Sequence, residues 1–241
     1  MIKLGYSLGE SKPKLSLKER IGVLLSVEKY AVEVSYIVAN RLNEQLDSDD
    51  VSKLRQFEFI SIHAPARLTE TPKTWLRYPS EEGNAIVDEL LAIASKIHAN
   101  VILFHPDLVD DFNWLNEKVG DMLAFENMDA QKMFGNTISD LQTVFAKAPN
   151  AKWVCDVNHI YTIDQSMNLS DEFHRHFQDR LAYYHLSGYG GRHDALHISQ
   201  EDIILQGIKD ISVPIINEGQ ALRDGKISLL KENDYILDRL R

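Results

Sequence analysis

Short runs of β-branched and aromatic residues alternate with stretches of helical periodicity along all 241 residues, and six of the runs share an ending. FEFISIH ends at His63, NVILFH at His105, MLAFE at Glu126, KWVCD at Asp156, LAYYH at His185 and VPIINE at Glu218. A buried strand gains nothing from an imidazole or carboxylate at its last position, because burying a polar group without a partner costs free energy. One such ending is an accident. A series in one orientation predicts a shared site, and parallel strands closed into a barrel would bring all of these side chains to one rim.

The remaining segments fit that arrangement. IKLGYSL (2–8) and AVEVSY (31–36) read as the first two strands, with SLKERIGVLLSVEKY a helix between them and VSKLRQ closing a second helical stretch. Ile86, Leu90, Ile93 and Ile97 repeat at helical spacing within 81–99. Further helices are predicted at 112–119, 137–148, 171–180, 199–211 and 227–240. Continuous apolar runs, buried on both faces, fit parallel strands covered by helices. An open doubly wound sheet would not gather the ends of six strands, and GYSLGESK is not a G-x-G-x-x-G turn. The expectation is a (β/α)8 TIM barrel forming a single domain over 1–241, a common length for that fold.

Composition bounds the function. Hydrophobic residues at 44% provide a core, and no apolar run approaches the roughly 20 residues that span a bilayer. The N-terminal MIKLGYSLGESKPK has no signal-peptide stretch. The single cysteine, Cys155, excludes an internal disulfide framework and fits a reducing compartment. The expected protein is cytoplasmic, without a membrane or obligate protein partner. A net charge of −10 argues against broad nucleic-acid binding, which rests on Lys and Arg neutralising phosphates. Bound divalent cations would offset part of it.

In such a barrel the active site lies at the C-terminal ends of the strands. His159 follows Asp156 in DVNH, and the glycine-containing loop SGYGGRHDALH adds His193, Asp194 and His197. Mixed imidazole and carboxylate donors suit Zn²⁺, Mn²⁺ or Fe²⁺ better than Mg²⁺ or Ca²⁺. The set exceeds the four ligands one zinc takes, so two or three Zn²⁺ or Mn²⁺ ions with bridging Glu126 and Glu218 are expected. Ions about 3.5–4 Å apart clamp the attacking and leaving oxygens of a phosphoryl displacement.

On these residues the chain resembles the xylose isomerase-like TIM barrels, and within them the endonuclease IV type of apurinic/apyrimidinic endonuclease. The shared features are ISIHAP (His63), LFHPD (His105), FENM (Glu126), DVNH (Asp156 and His159), YHLSG (His185) and NEG (Glu218), in order along the whole barrel. The resemblance implies a zinc centre holding His63, His105, Glu126, Asp156, His159, His185, Asp194, His197 and Glu218, with Glu126 and Glu218 catalytic. It implies phosphodiester hydrolysis at abasic DNA, hence DNA repair. The family's loop after the seventh strand carries Asp-x-His and a Gly-Glu-Gly stretch. Here Asp194-Ala-Leu-His197 has one extra residue and Gly-Glu-Gly is absent. The alternative pairs Gly191-Arg192-His193 with Asp-Arg-His, losing the carboxylate and leaving His193 a substrate contact. Arg67 and Trp75 in HAPARLTETPKTW are further candidates to touch substrate.

Other readings stand beside this one. Sugar or sugar-phosphate isomerases and epimerases of the superfamily keep a Glu-Asp-His-Glu subset for one ion, here Glu126, Asp156, His185 and Glu218. A metal-binding barrel without turnover is a third. His98, His174 and His176 fall in helical stretches and read as surface or packing residues. Cys155 should point away from Asp156 and pack as a small hydrophobe. DSDD (47–50) reads as a solvated helix boundary.

Overall fold

The computed structural model describes residues 2–9, 15–27, 30–36, 38–43, 46–69, 71–189, 193–224 and 226–241. Its strands are β1 (Leu4–Ser7), β2 (Ala31–Ser35), β3 (Phe59–His63), β4 (Arg67–Thr69), β5 (Thr74–Trp75), β6 (Val101–Phe104), β7 (Leu123–Glu126), β8 (Lys152–Asp156), β9 (Leu181–Leu186) and β10 (Ile215–Asn217). Eight of them close in the order β1-β10-β9-β8-β7-β6-β3-β2, every pairing parallel, while β4 and β5 form an antiparallel ribbon outside. This is the (β/α)8 barrel expected from the sequence.

The helices are α1 (Leu17–Leu25), α2 (Ser48–Leu54), α3 (Glu81–Ile97), α4 (Phe112–Val119), α5 (Ile138–Lys147), α6 (Val157–Ile163), α7 (Asn168–Phe177), α8 (Leu196–Ser199) and α9 (Lys226–Leu240). Local chemistry sets their starts. Ser16 and Glu19 form a reciprocal capping box at α1, and Asp47 and Asp50 another at α2. The acidic run at 47–50 is thus a helix boundary, and Lys18 bonds Asp47. No helix among the described residues is long and apolar enough to cross a membrane.

Strand alternation divides the core into two shells. Val32, Ile60, Ile62, Phe104, Phe125, Trp153, Cys155 and Leu186 pack outward with the helices. Ala31, Val101, Leu103, Ala124, Val154, Tyr183 and Ile216 fill the barrel. Each fully buried Ile or Phe contributes about 1.5–3 kcal/mol. Gly5 pairs with Ala31, and a Cβ there would run into the Ala31 carbonyl, so β1 approaches β2 only as glycine.

The segments differ from the sequence reading in three places. The helix predicted over 199–211 is instead a short 3-10 turn at Asp202–Gly207. Gln200 adopts a left-handed conformation (φ 61°) that ends α8, and the Gly207 backbone packs tightly against Val157 and Met167. The DVNH segment opens α6, a helix the sequence reading did not contain, with Asp156 as its cap. The β4–β5 ribbon was also not anticipated. Gly190, Gly191 and Arg192 of the loop after β9 lie outside the described residues.

Candidate metal centre

Along each barrel strand the residue two positions beyond an inward apolar or small residue also points inward, one layer nearer the rim. Leu103 is followed in this way by His105, Ala124 by Glu126, Val154 by Asp156, Tyr183 by His185 and Ser61 by His63. Register then places them side by side: Asp156 pairs with His185 across β8 and β9. The sequence endings therefore meet for a geometric reason.

The convergence is close. His105 Nε2 lies 3.1 Å from His63 Nε2 and 3.0 Å from Glu126 Oε1. Glu126 Oε2 lies 3.0 Å from His185 Nδ1, which is 3.6 Å from Glu218 Oε2. In two groups each residue offers one ligand atom and the three atoms lie within 4.8 Å of one another: His63, His105 and Glu126, and then Glu126, Asp156 and His185. Glu126 belongs to both. A further group, Glu33, His185 and Glu218, continues the chain through His185.

The donor set fits divalent ions. A tetrahedral zinc with bonds of about 2.0–2.1 Å keeps its ligand atoms roughly 3.3 Å apart, so the observed spacing needs little adjustment. Asp156 is 1% exposed, yet its Oδ2 accepts no hydrogen bond and lies 3.4 Å from His159 Nδ1. A buried carboxylate oxygen in that state is costly unless a cation completes it. His63 Nδ1 sits 2.9 Å from the Ala64 carbonyl, so it carries the proton and Nε2 is left for ligation.

Neighbouring groups fix this arrangement. Asp156 Oδ1 accepts from His159 N at 2.8 Å, so the candidate ligand is also the N-cap of α6. Asn127 Oδ1 accepts from Asp156 N (3.0 Å) and its Nδ2 donates to Asp156 O (2.8 Å), tying β7 to β8. The Asn127 carbonyl receives His159 Nδ1–H at 2.8 Å, which leaves His159 Nε2 unprotonated once the ring is neutral.

The electrostatics separate the acids. Burial alone would raise the Glu126 carboxyl, but the charge of His105 and hydrogen bonds from His105 and His185 hold it well below the usual range. Glu218 goes the other way. Its burial, opposed by His185 but reinforced by Glu33, Glu126 and Asp156, pushes it up to about 8. His159 is pulled down by burial, yet the Asp156 and Glu126 charges raise it to about 9. Burial and the charge of His105 lower His63, so its ring is neutral at pH 7.

Not every residue expected here joins. His197 lies on α8, where its Nδ1 is 2.6 Å from Glu232 Oε2; that fully buried carboxylate of α9 also accepts from Leu196 N, His197 N and Asn217 Nδ2. Asp194 accepts from Gly188 N through its carbonyl, and its carboxylate is in none of the convergent groups. His193, expected as a substrate contact, comes nearer: its ring is 6.1 Å from that of His159, and Nδ1 is 2.9 Å from Ser187 Oγ. Of the two alignments, the geometry brings His193 rather than His197 beside His159. Arg67 lies over the ring of half-exposed Trp75 at 5.6 Å, with Lys73 at 4.5 Å and Lys132 at 5.0 Å. His98 is exposed; His174 is buried between Ser170 O and Tyr184 Oη.

Glu33 was missed. It stands mid-strand in β2, but its inward neighbours Ala31 and Ser35 are small, the signal that the space above them is reserved for a longer side chain. Glu232 was missed because nothing local marks a carboxylate on a surface helix as buried.

No protein-family model and no curated protein matches the sequence. Solved structures match over nearly the whole chain. Endonuclease IV from Thermus thermophilus superposes with a TM-score of 0.68 at 15% identity, covering 98% of this chain and 99% of that one. A 3-keto-D-glucoside 4-epimerase from E. coli gives 0.64 at 14%, covering 97% and 100%. A probable 3-DHS dehydratase from Bacillus anthracis gives 0.63 at 14%, covering 96% and 98%. At these identities the likeness is one of fold, the (β/α)8 barrel.

Proposed function

We propose that this barrel is a metal-dependent hydrolase of phosphate esters with a two-ion centre. One observation carries the reading: His63, His105 and Glu126 form a second ligand group beside Glu126, Asp156 and His185, joined through the shared Glu126 carboxylate. Two divalent ions, Zn²⁺ or Mn²⁺, would supply a hydroxide at neutral pH and neutralise phosphoryl charge. Glu126, ionised and buried, spans both groups. Glu218 faces His185, with its Oε2 3.6 Å from Nδ1, where its carboxyl would reach the ions or a substrate bound to them. His159 lies beside Asp156, with Nδ1 3.4 Å from Oδ2, and the His193 ring is 6.1 Å from that of His159. The third ion that the number of expected ligands allowed is not part of the proposal, because His197 is held by Glu232 and the Asp194 carboxylate stands outside the convergent groups. Likeness to endonuclease IV supports a phosphodiester, including abasic DNA, as the first substrate to try.

The test is metal-loaded protein assayed on bis(p-nitrophenyl) phosphate and on an abasic oligonucleotide, beside His63→Ala. Cleavage that falls by at least about 10–100-fold in the variant is the expected result, since losing even an outer partner of a metal ligand acts on that scale. Cleavage of neither substrate, with ketose epimerisation that survives His63→Ala, would replace the reading.

That replacement is the second reading, and one observation favours it. Glu126 and Glu218 flank His185 with opposite protonation preferences, the pattern of a paired acid and base moving a proton at carbon. One ion on Glu126, Asp156, His185 and Glu218 would suffice, as the likeness to sugar epimerases allows.

A further inference from the structure

His185 is gripped at both ring nitrogens. Nδ1 faces the rim, 3.0 Å from Glu126; Nε2 faces down the barrel, 2.9 Å from Glu33 Oε2. Glu33 lies on β2, separated from β9 in the ring by β1 and β10, and is fully buried. Its carboxylate is enclosed by donors from other strands. Ser7 Oγ lies 3.1 Å from Oε1. Ser61 Oγ and Tyr183 Oη lie 2.9 and 3.0 Å from Oε2 and 2.8 Å from each other, so between them they donate to it.

We propose that Glu33 is a positioning residue: by holding the Nε2–H of His185 it orients the ring so that Nδ1 is the nitrogen offered to a metal at the rim. The assignment rests on the two-ion reading of the site above it. The geometry separates this role from direct ligation. Glu33 Oε2 already takes His185 and a hydroxyl, and Oε1 takes Ser7, which leaves little of its capacity for an ion. The hydroxyl layer also explains why a carboxylate is tolerated in the barrel interior. An imidazole alone can present either nitrogen. A carboxylate on the inner one removes that freedom and raises the basicity of the outer one.

Glu33→Gln is the test. The amide has nearly the same shape, but its NH₂ can face Nε2, which moves the ring proton to Nδ1 and takes away the ligand. Calorimetric titration of metal-free protein with Zn²⁺ reads both sites at once. The expected result is an affinity weaker by about 10–100-fold at the site that includes His185, with the His63–His105–Glu126 site unchanged. Tyr183→Phe and Ser7→Ala serve as controls: both loosen the same polar layer without touching the His185 nitrogens, and both should keep wild-type affinities. Equal losses in the controls would mean that the layer is merely structural, and unchanged affinity in Glu33→Gln would overturn the proposal.

A metal-free readout keeps the two claims apart. In ¹⁵N-labelled wild type, the His185 Nε2 proton should appear as a slowly exchanging downfield signal, lost in Glu33→Gln and kept in Glu126→Gln. If that signal behaves as expected but wild type binds no zinc, the hydrogen bond stands and the metal-positioning role fails together with the two-ion reading. If wild type binds two ions and the signal is indifferent to Glu33, only the positioning proposal fails.

Discussion

His63 and His197 are both imidazoles at the C-terminal side of the barrel, and their surroundings give them different work. His63 Nε2 opens onto His105 and Glu126, whereas His197 is spent on Glu232. His63→Ala should therefore bind one zinc where wild type binds two, read by calorimetry or elemental analysis. His197→Ala should keep both ions and lose about 1–3 kcal/mol in a urea melt, because it removes one charge-assisted hydrogen bond to a buried carboxylate. Loss of an ion in His197→Ala would instead put the loop after β9 in the ligand set. The strand-end candidates were legible in sequence because alternation along a strand fixes which side chains face inward. His193, Asp194 and His197 were not, since a loop has no periodicity and one extra residue changes which side chain arrives. Glu33 escaped notice because a carboxylate in mid-strand makes sense only once β9 and its histidine are known to stand opposite.

Strands and helices here carry their own instructions for the site. Asp156 closes β8, caps α6 and offers its second oxygen to the rim, so strand, helix and candidate ligand share one side chain. Glu232 does the equivalent from α9, where it caps α8 and holds Asn217, the residue before Glu218. Glu232→Ala would leave those donors buried and unsatisfied. An expected cost of roughly 2–4 kcal/mol should appear in chemical denaturation, with weaker metal binding as Glu218 loses its support. Stability unchanged within about 0.5 kcal/mol, the scale of an ordinary surface change, would contradict that role. The main strands and long helices followed from their periodicity. The helix expected over 199–211 failed because Gln200 turns left-handed and Gly207 packs against α6, contacts no local pattern records. The α6 helix was hidden for the opposite reason: its cap is a residue already read as a ligand.

At the scale of the whole barrel, closure gathers acids and imidazoles into one small volume, and that makes the metal-free protein sensitive to pH. Glu218 sits near 8 and His159 near 9 in the folded state, both above their ordinary values, so each favours folding while protonated. The Glu218 contribution fades as pH rises from about 4.5 to 8, and that of His159 as it rises from about 6.5 to 9. Glu33 is the reverse case. Burial would raise it, but His185 by charge and hydrogen bond lowers it to about 2, so its contribution is full above about 4.5 and lost as pH falls toward 2. Metal-free protein in chelator should therefore melt at its highest temperature near pH ~5 and lose several degrees by pH ~9. Zinc-loaded protein should not show that alkaline decline, because the ions replace the protons that hold the acidic cluster together. A flat metal-free profile would count against this electrostatic picture. The barrel itself was visible in the sequence because all its strands obey one rule, but the pairing of acids across its mouth required the closed ring.

Elemental analysis of the chain after saturation with zinc and removal of excess is the most direct test of the central claim that Glu126 joins two ligand groups. Two ions per chain in wild type and one in His63→Ala is the expected result. A single ion in wild type, unaffected by His63→Ala, would contradict it.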